Sequence, residues 1–158
     1  MRAAATARQA GDAPRAIDLL GEVLAASPDH ATANVEMARA LRVLGDPAEA
    51  EGFYRTALAA VLDYVVVCEL ATVVAEQDRV AEAQELVDAA LAMANGHPRL
   101  DPGEALLVRA AIAVGEGRTD DARAALDQIV RKRAKPATKR YAERLRARLD
   151  GDSEIDRP

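Results

Sequence analysis

Aromatic residues and cysteines are scarce in this sequence, and each scarcity excludes a class of structure. There is no Trp, one Phe and three Tyr, so Ala and Leu must supply most of the buried surface, which favours packed helices over a sheet. The single cysteine, Cys68, excludes an intramolecular disulfide. No apolar run approaches the roughly 20 residues that a membrane-spanning helix needs.

The side chains that catalysis and metal binding use are few and scattered. His30 and His97 lie in different predicted loops, and no catalytic or metal-binding motif accompanies either of them. Cys68 lies among valines and a leucine, which is typical of a buried or groove-lining thiol and not of a nucleophile. We therefore expect no enzyme activity, no cofactor and no metal. The first ten residues lack the apolar segment of a signal peptide, and we expect a cytoplasmic protein.

One pattern recurs four times along the chain. A turn begins at Gly11, Gly45, Asp78 and Gly117, at intervals of 34, 33 and 39 residues. An alanine precedes each turn by seven residues, and another alanine follows it by five. The apolar residues on both sides of each turn recur at helical spacing. Self-similarity of this period is typical of stacked helix pairs.

This pattern resembles the tetratricopeptide repeat family, whose unit of about 34 residues is two antiparallel helices joined by a tight turn. The resemblance covers roughly residues 1–133, although no repeat has the family's early Trp. The second repeat carries it best, through Ala38, Leu41, Gly45, Asp46, Ala50, Tyr54, Ala57 and Leu58. The resemblance implies an all-α fold, a right-handed superhelical solenoid of antiparallel helix pairs.

Start and stop signals predict nine helices. They span residues 1–10, 13–26, 30–44, 47–61, 64–77, 80–95, 102–116, 119–133 and 137–149. We expect a single domain over residues 1–150 and a solvated tail at 151–158. The repeats span about 1–30, 31–63, 64–97 and 102–133, with helix 137–149 capping the last pair.

The register of the repeats predicts particular packing contacts. Ala50 and Ala83 occupy the small-residue position of the second helix of a pair, so we expect them where helices approach closely. Substitution of Glu51, one residue along, is expected to leave the stability nearly unchanged. The capping helix carries one apolar stripe at helical spacing, made of Tyr141, Leu145 and Leu149.

In tetratricopeptide stacks the first helix of each pair lines a concave surface, and the resemblance carries this role over to matching positions. The predicted partner-binding residues are Arg8, Val35, Glu36, Arg39, Arg42, Val65, Cys68, Glu69, Thr72, Leu107 and Val108. Apolar groups in a row on a surface usually mark a contact site. The arginines lie in the N-terminal repeats, so we expect a ligand with acidic residues there and apolar residues further along.

The function that the resemblance implies is a non-enzymatic adaptor or scaffold. It would bind a peptide, a helix or a protein surface in the concave groove, with self-association among the options. Three alternatives stay open. The chain is similar to secretion-type chaperones that hold an export cargo, it could act on nucleic acid through a basic segment, or it could be the interaction domain of a larger enzyme.

The basic segment is the strongest charge feature, since nine of the 21 Lys and Arg residues fall within residues 131–148. Its leading members are Arg131, Lys132, Arg133, Lys135, Lys139 and Arg140. Such a segment can bind phosphates or acidic protein, or it can be a solvated face of the cap. The formal net charge of −5 argues against nucleic acid as the partner.

Overall fold

The computed structural model describes residues 1–131 and 134–155, the side chains of 152–155 excepted. Within these residues the chain forms nine α-helices and no strand, which confirms the predicted all-α class. The helices α1 to α9 span Arg2–Gln9, Ala13–Ala26, Ala31–Leu44, Pro47–Ala60, Tyr64–Ala75, Val80–Gly96, Gly103–Gly115, Thr119–Arg131 and Pro136–Ile155.

The helix ends agree with the prediction within two residues for α1 to α7. The largest difference is in α9, which continues through Ile155 although the sequence predicts a tail from residue 151. Arg123 on α8 holds the residues just before this extension, because its guanidinium donates to the Asp150 carboxylate (2.9 Å) and to the Leu149 carbonyl (3.0 Å). Predicted tail residues 156–158 lie outside the described residues.

Polar side chains start four of the helices by accepting hydrogen bonds from backbone N–H groups that have no partner within the helix. Asp12, Asp46 and Asp63 cap α2, α4 and α5 in this way. His30 does the same for α3, where its Nδ1 atom accepts from the Ala33 N–H at 3.3 Å. This histidine therefore has a structural role at a helix end.

The turn inside each repeat needs a residue with positive φ. Gly11, Gly45 and Gly117 provide it at 84°, 81° and 71°. The third repeat has no glycine there, and Asp78 adopts the left-handed conformation instead, with φ 60°. Aspartate is one of the few residues that tolerate this region, so the repeat keeps its turn without the glycine.

The chain divides into two compact units, Met1–Ala83 and Gln84–Pro158, called here the N-terminal and the C-terminal unit. In the N-terminal unit each of α1 to α4 packs against the next helix along the chain. Ala50 and Ala83 are fully buried, as the repeat register predicts, and so is the Tyr54 side chain. The single domain predicted over residues 1–150 stays a prediction.

Glu51 does not behave as the sequence predicts. Its residue surface is only 9% exposed, and its carboxylate accepts hydrogen bonds from Arg55 (2.8 Å), Gln77 (2.7 Å) and Arg79 (2.7 Å). Arg55 and Arg79 both also pair with Glu82. The prediction of an indifferent position was wrong, because two of the partners come from residues 26 and 28 positions away.

In the C-terminal unit, α9 packs against α8 and α7 and covers their apolar side. The buried cluster is made of Leu106, Ala110, Ala125, Leu126, Ile129 and Ala142. Leu145 and Leu149 pack against it as predicted. Tyr141 does not, since it is 47% exposed. Ala142, one residue later, takes its place and is fully buried, because the small side chain lets the helices approach.

The N-terminus of α9 is held by the loop before α7. The Asp101 carboxylate is buried and accepts hydrogen bonds from the backbone N–H of Gly103 (2.8 Å) and of Lys135 (3.0 Å), and from the Thr138 hydroxyl (3.2 Å). A Cβ atom on Gly103 would lie 2.7 Å from the Thr138 methyl and 3.2 Å from the Ala134 Cβ. Only glycine fits this approach without displacement.

Candidate functional site

Most of the predicted binding residues lie on one face of the N-terminal unit, formed by the first helices α1, α3 and α5 and called here the first-helix face. A continuous chain of ion pairs crosses it. Arg8 Nε donates to Glu36 at 3.0 Å, Arg39 Nη1 donates to Glu36 at 2.7 Å, and Arg39 Nε donates to Glu69 at 3.0 and 3.1 Å. These contacts join α1 to α3 and α3 to α5.

A separate pair extends the same face. Arg42 Nη2 donates to Glu76 at 2.8 Å, across 34 residues of sequence. Arg42 Nε and the Tyr54 hydroxyl are buried and have no hydrogen-bond partner among the described residues. The pKa of Tyr54 is raised to about 12, mainly by burial and next by the charge of the Glu69 carboxylate. The charge of Arg42 acts in the opposite direction but is outweighed. Tyr54 therefore stays neutral beneath the charged surface.

The charges on this face stabilise one another. Burial by itself would raise the pKa of Glu36, but hydrogen bonds and charges from Arg39 and Arg8 outweigh it and hold that pKa below its ordinary value. Burial likewise opposes the charge of Arg39, yet Glu69 and Glu36 raise its pKa above the usual range. Both partners are ionised at neutral pH, so the face presents alternating fixed charges of low net value.

The apolar residues predicted for the groove differ in how far they are exposed to solvent. Val35 and Cys68 are buried, with 9% and 5% of their surface exposed, and offer little area to a partner. Val65 is 39% exposed at the start of α5. Thr72 is half-buried, and its hydroxyl donates to the Cys68 carbonyl at 3.0 Å. Of the apolar residues predicted on this face, Val65 is therefore the most exposed.

Leu107 and Val108 lie on α7 in the C-terminal unit, and both are half-buried. Leu107 packs against the buried cluster beneath α9. The remaining predicted residues are in the N-terminal unit, so the predicted set is divided between the two units. The binding role of these residues stays a prediction.

The structure sorts the basic segment into paired and unpaired cations. Arg131 and Arg146 both contact Asp127, at 3.8 and 3.0 Å. Lys135 contacts Glu104 at 3.5 Å. Lys139, Arg140, Arg144 and Arg148 form no ion pair with any described residue. Predicted patch members Lys132 and Arg133 lie outside the described residues.

Two further absences hold for the described part of the chain only. No group of three or more His, Cys, Asp or Glu residues there could hold a metal ion. None of its helices is long and apolar enough to cross a membrane.

The sequence analysis missed Glu76, which pairs with Arg42. It also did not separate the paired from the unpaired cations of the basic segment. A usable signal was present: the partners Arg8–Glu36, Arg39–Glu69 and Arg42–Glu76 lie 28, 30 and 34 residues apart. Opposite charges separated by about one repeat face each other when equivalent helices lie side by side.

Comparison by sequence matches residues 7–65 and residues 68–137 to the tetratricopeptide repeat, so that the matched stretches cover most of the chain. A comparison with curated protein sequences finds no match.

Solved structures of three repeat proteins resemble this chain. A putative kinesin light chain from Podosopora anserina, with nearly identical TPR-like repeats, is 21% identical with a TM-score of 0.73, covering 98% of this chain and 85% of its own. PilW, a widely conserved type IV pilus biogenesis factor, is 21% identical with a TM-score of 0.71, covering 82% of this chain.

YrrB, described as a TPR protein with an unusual peptide-binding site, is 19% identical with a TM-score of 0.64, covering 81% of this chain and 64% of its own. This chain spans 58% of the length of PilW. At these identities the likeness shows the fold alone.

Proposed function

Because the chain belongs to the tetratricopeptide repeat family, we propose that it is a non-enzymatic scaffold that binds a polypeptide segment on the first-helix face. Members of this family are typically interaction modules with protein or peptide partners. The YrrB description supports a peptide as the class of ligand. The cytoplasmic location expected from the sequence stays a prediction.

The observation that carries the proposal is the ion-pair chain from Arg8 to Glu69. Its side chains are 12–29% exposed, so they are held in place yet reach the surface. The attraction within such partly buried pairs is largely offset by the cost of removing both charges from water, so net stability alone gives little reason for a continuous row of them. Fixed guanidinium and carboxylate groups instead provide donors and acceptors that a ligand backbone can use without ordering them first.

The pairing changes the chemistry expected of the ligand. The sequence predicts acidic ligand residues opposite Arg8, Arg39 and Arg42, but each of these cations already has a carboxylate partner. An incoming carboxylate would have to displace Glu69 or Glu36 and leave a half-buried charge unpaired, which is costly. The ligand that fits is a polar segment of low net charge that hydrogen-bonds to both signs.

The experiment uses a photo-crosslinking amino acid at two matched threonines. Thr72 lies half-buried on the first-helix face, and Thr56 lies exposed on α4, the second helix of its pair. Each hydroxyl donates to the carbonyl four residues earlier, so replacement perturbs the two helices alike. In the native cell, position 72 should give a discrete polypeptide adduct and position 56 should not.

A second variant tests the charges themselves. Arg39→Gln with Glu69→Gln keeps planar hydrogen-bonding groups and removes the fixed charges together, which avoids an unpaired charge. The yield of the position-72 adduct should fall severalfold, with an unchanged helical circular dichroism spectrum. Equal adducts from both threonines, or a yield at position 72 that the double variant leaves unchanged, would show that the first-helix face is not the binding surface.

A further inference from the structure

Helix α9 has two sides of different character. Its inner side packs Ala142, Leu145 and Leu149 against the core of the C-terminal unit. No described helix of that unit packs on the opposite side, because α7 and α8 both lie on the inner side. This opposite side, called here the outer face of α9, carries Ala137, Arg140, Tyr141, Glu143, Arg144, Ala147 and Arg148.

The outer face combines free positive charge with a shallow groove. Arg140, Arg144 and Arg148 follow at intervals of four residues and so form one row along the helix. None of them has an ion pair within the described part of the chain, and the Arg144 guanidinium lies 5.9 Å from the centre of the Tyr141 ring. A groove of about 520 Å³ lies beside Arg140 and Arg144, over the small side chains of Ala137 and Ala147.

This concentration of unpaired cations is local. The protein has a formal net charge of −5. Among the other cations of the basic segment that the structure describes, Arg131, Lys135 and Arg146 are paired with Asp127 or Glu104, and Lys139 is half-buried. A copy of the same face would present the same arginines, so two outer faces would repel each other. Charge complementarity therefore points to an acidic partner of a different surface.

The groove favours a patterned partner over a uniform polyanion. Ala137 and Ala147 are about three helical turns apart, and their small size lets another helix approach closely. Glu143 also lines the groove, between the arginines. A continuous run of phosphates would meet this carboxylate, whereas a helix can place a neutral side chain opposite it.

We propose that the outer face of α9 is a docking surface for an amphipathic acidic helix of a partner protein. The apolar stripe of that helix would lie over Ala137, Ala147 and the exposed Tyr141 ring, with its carboxylates on the Arg140, Arg144 and Arg148 row. This surface is separate from the first-helix face and goes beyond the function proposed above.

The test uses a synthetic peptide of about six helical turns with a leucine and alanine stripe flanked by glutamates, and a permuted peptide of identical composition without the stripe. Binding is followed by fluorescence anisotropy. The variant Arg140→Glu with Arg144→Glu and Arg148→Glu should weaken binding of the striped peptide by about tenfold or more, since it reverses the whole row. The matched control reverses Arg2, Arg15 and Arg99 to Glu, which are exposed and have no ion pair with a described residue.

The two triple variants have the same net charge, so a difference between them reports the site. The control should change the dissociation constant by less than about twofold, because its three arginines do not belong to the outer face of α9 and exposed charges are screened by salt. A second variant, Ala147→Lys, adds a positive charge but fills the groove. It should weaken binding of the striped peptide. It should strengthen binding of a short single-stranded oligonucleotide and of vesicles containing phosphatidylserine.

Three results would overturn the proposal. The striped peptide could fail to bind the parent protein, or it could bind no better than the permuted peptide. The parent protein could bind the oligonucleotide or the vesicles more tightly than it binds the striped peptide. The variant with Arg140, Arg144 and Arg148 reversed to Glu could then lose that binding. In that last case the outer face of α9 would be a site for phosphate groups and not for a helix.

Discussion

The first-helix face of the N-terminal unit and the outer face of α9 both carry arginines in rows, yet they differ in what stands beside each arginine. On the first-helix face, Arg8, Arg39 and Arg42 contact carboxylates from neighbouring helices. On α9, Arg140 and Arg148 have no such partner among the described residues. The comparison teaches that pairing, and not the number of cations, decides which surface can attract an acidic partner.

The largest expected difference between the two regions concerns two alanines. Ala50 is fully buried between the helices of the N-terminal unit, and Ala147 is exposed on α9. Ala50→Leu should lower the free energy of unfolding by about 1–3 kcal/mol through overpacking. Ala147→Leu should change it by less than about 0.5 kcal/mol. Urea denaturation of both variants measures this, and equal losses would mean that α9 is packed on both sides.

A smaller difference is expected for two glutamates. Glu51 accepts three hydrogen bonds in a largely buried place, and Glu143 is exposed. Glu51→Ala should cost about 1 kcal/mol, since its partners lose their acceptor but are themselves exposed enough to bind water. Glu143→Ala should be close to neutral. Thermal unfolding of the two variants distinguishes them. An unchanged melting temperature for Glu51→Ala would mean that this hydrogen-bond network does not stabilise the fold.

The smallest expected effect is a dependence on pH that only the paired region shows. Burial opposes ionisation of Glu51, but hydrogen bonds from Arg55, Gln77 and Arg79 hold its pKa below the ordinary value. A lowered folded-state pKa contributes stability above the unfolded value of about 4.3, and this is lost as the pH falls through the folded pKa. When the pH is lowered below about 4, the melting temperature of the parent should therefore decrease.

The variant Glu51→Gln isolates this contribution. It should melt below the parent at about pH 7, and the difference in melting temperature should narrow at about pH 3, because Glu51 of the unfolded parent is then protonated. Glu143→Gln on α9 should show no gap at either pH. A gap for Glu51→Gln that stays constant between the two conditions would contradict the electrostatic origin of the lowered pKa.

The helices could be predicted from sequence because their ends are local. A glycine or Asp78 in each turn and an aspartate or histidine at four helix starts act within a few residues, so a single sequence contains the whole signal. The family resemblance then supplied the pairing of helices. The stripe on α9 was misplaced at its first residue, because Tyr141 and Ala142 both lie at helical spacing from Leu145 and Leu149, and burial there depends on how closely α8 approaches.

The candidate surfaces could be predicted only in part, since they depend on contacts across repeats. Arg39 was identified from its position in the repeat, but its neutralisation by Glu69 depends on two helices lying side by side. Val35 and Cys68 were placed on the correct helices, yet a small rotation of a helix decides whether such residues face the groove or the core. Glu51 was misjudged for the same reason, because Gln77 and Arg79 reach it from outside its own helix.

The Asp101 carboxylate also imposes an order on folding. Its partners, Lys135 and Thr138, are 34 and 37 residues further along the chain, so the bond closes a loop that contains both α7 and α8. Closing a loop of that length carries an entropic cost that is offset only when the enclosed helices are already packed. We therefore expect α9 to dock late during refolding. The Lys135 amide should accordingly gain protection from hydrogen exchange after the amides of α7.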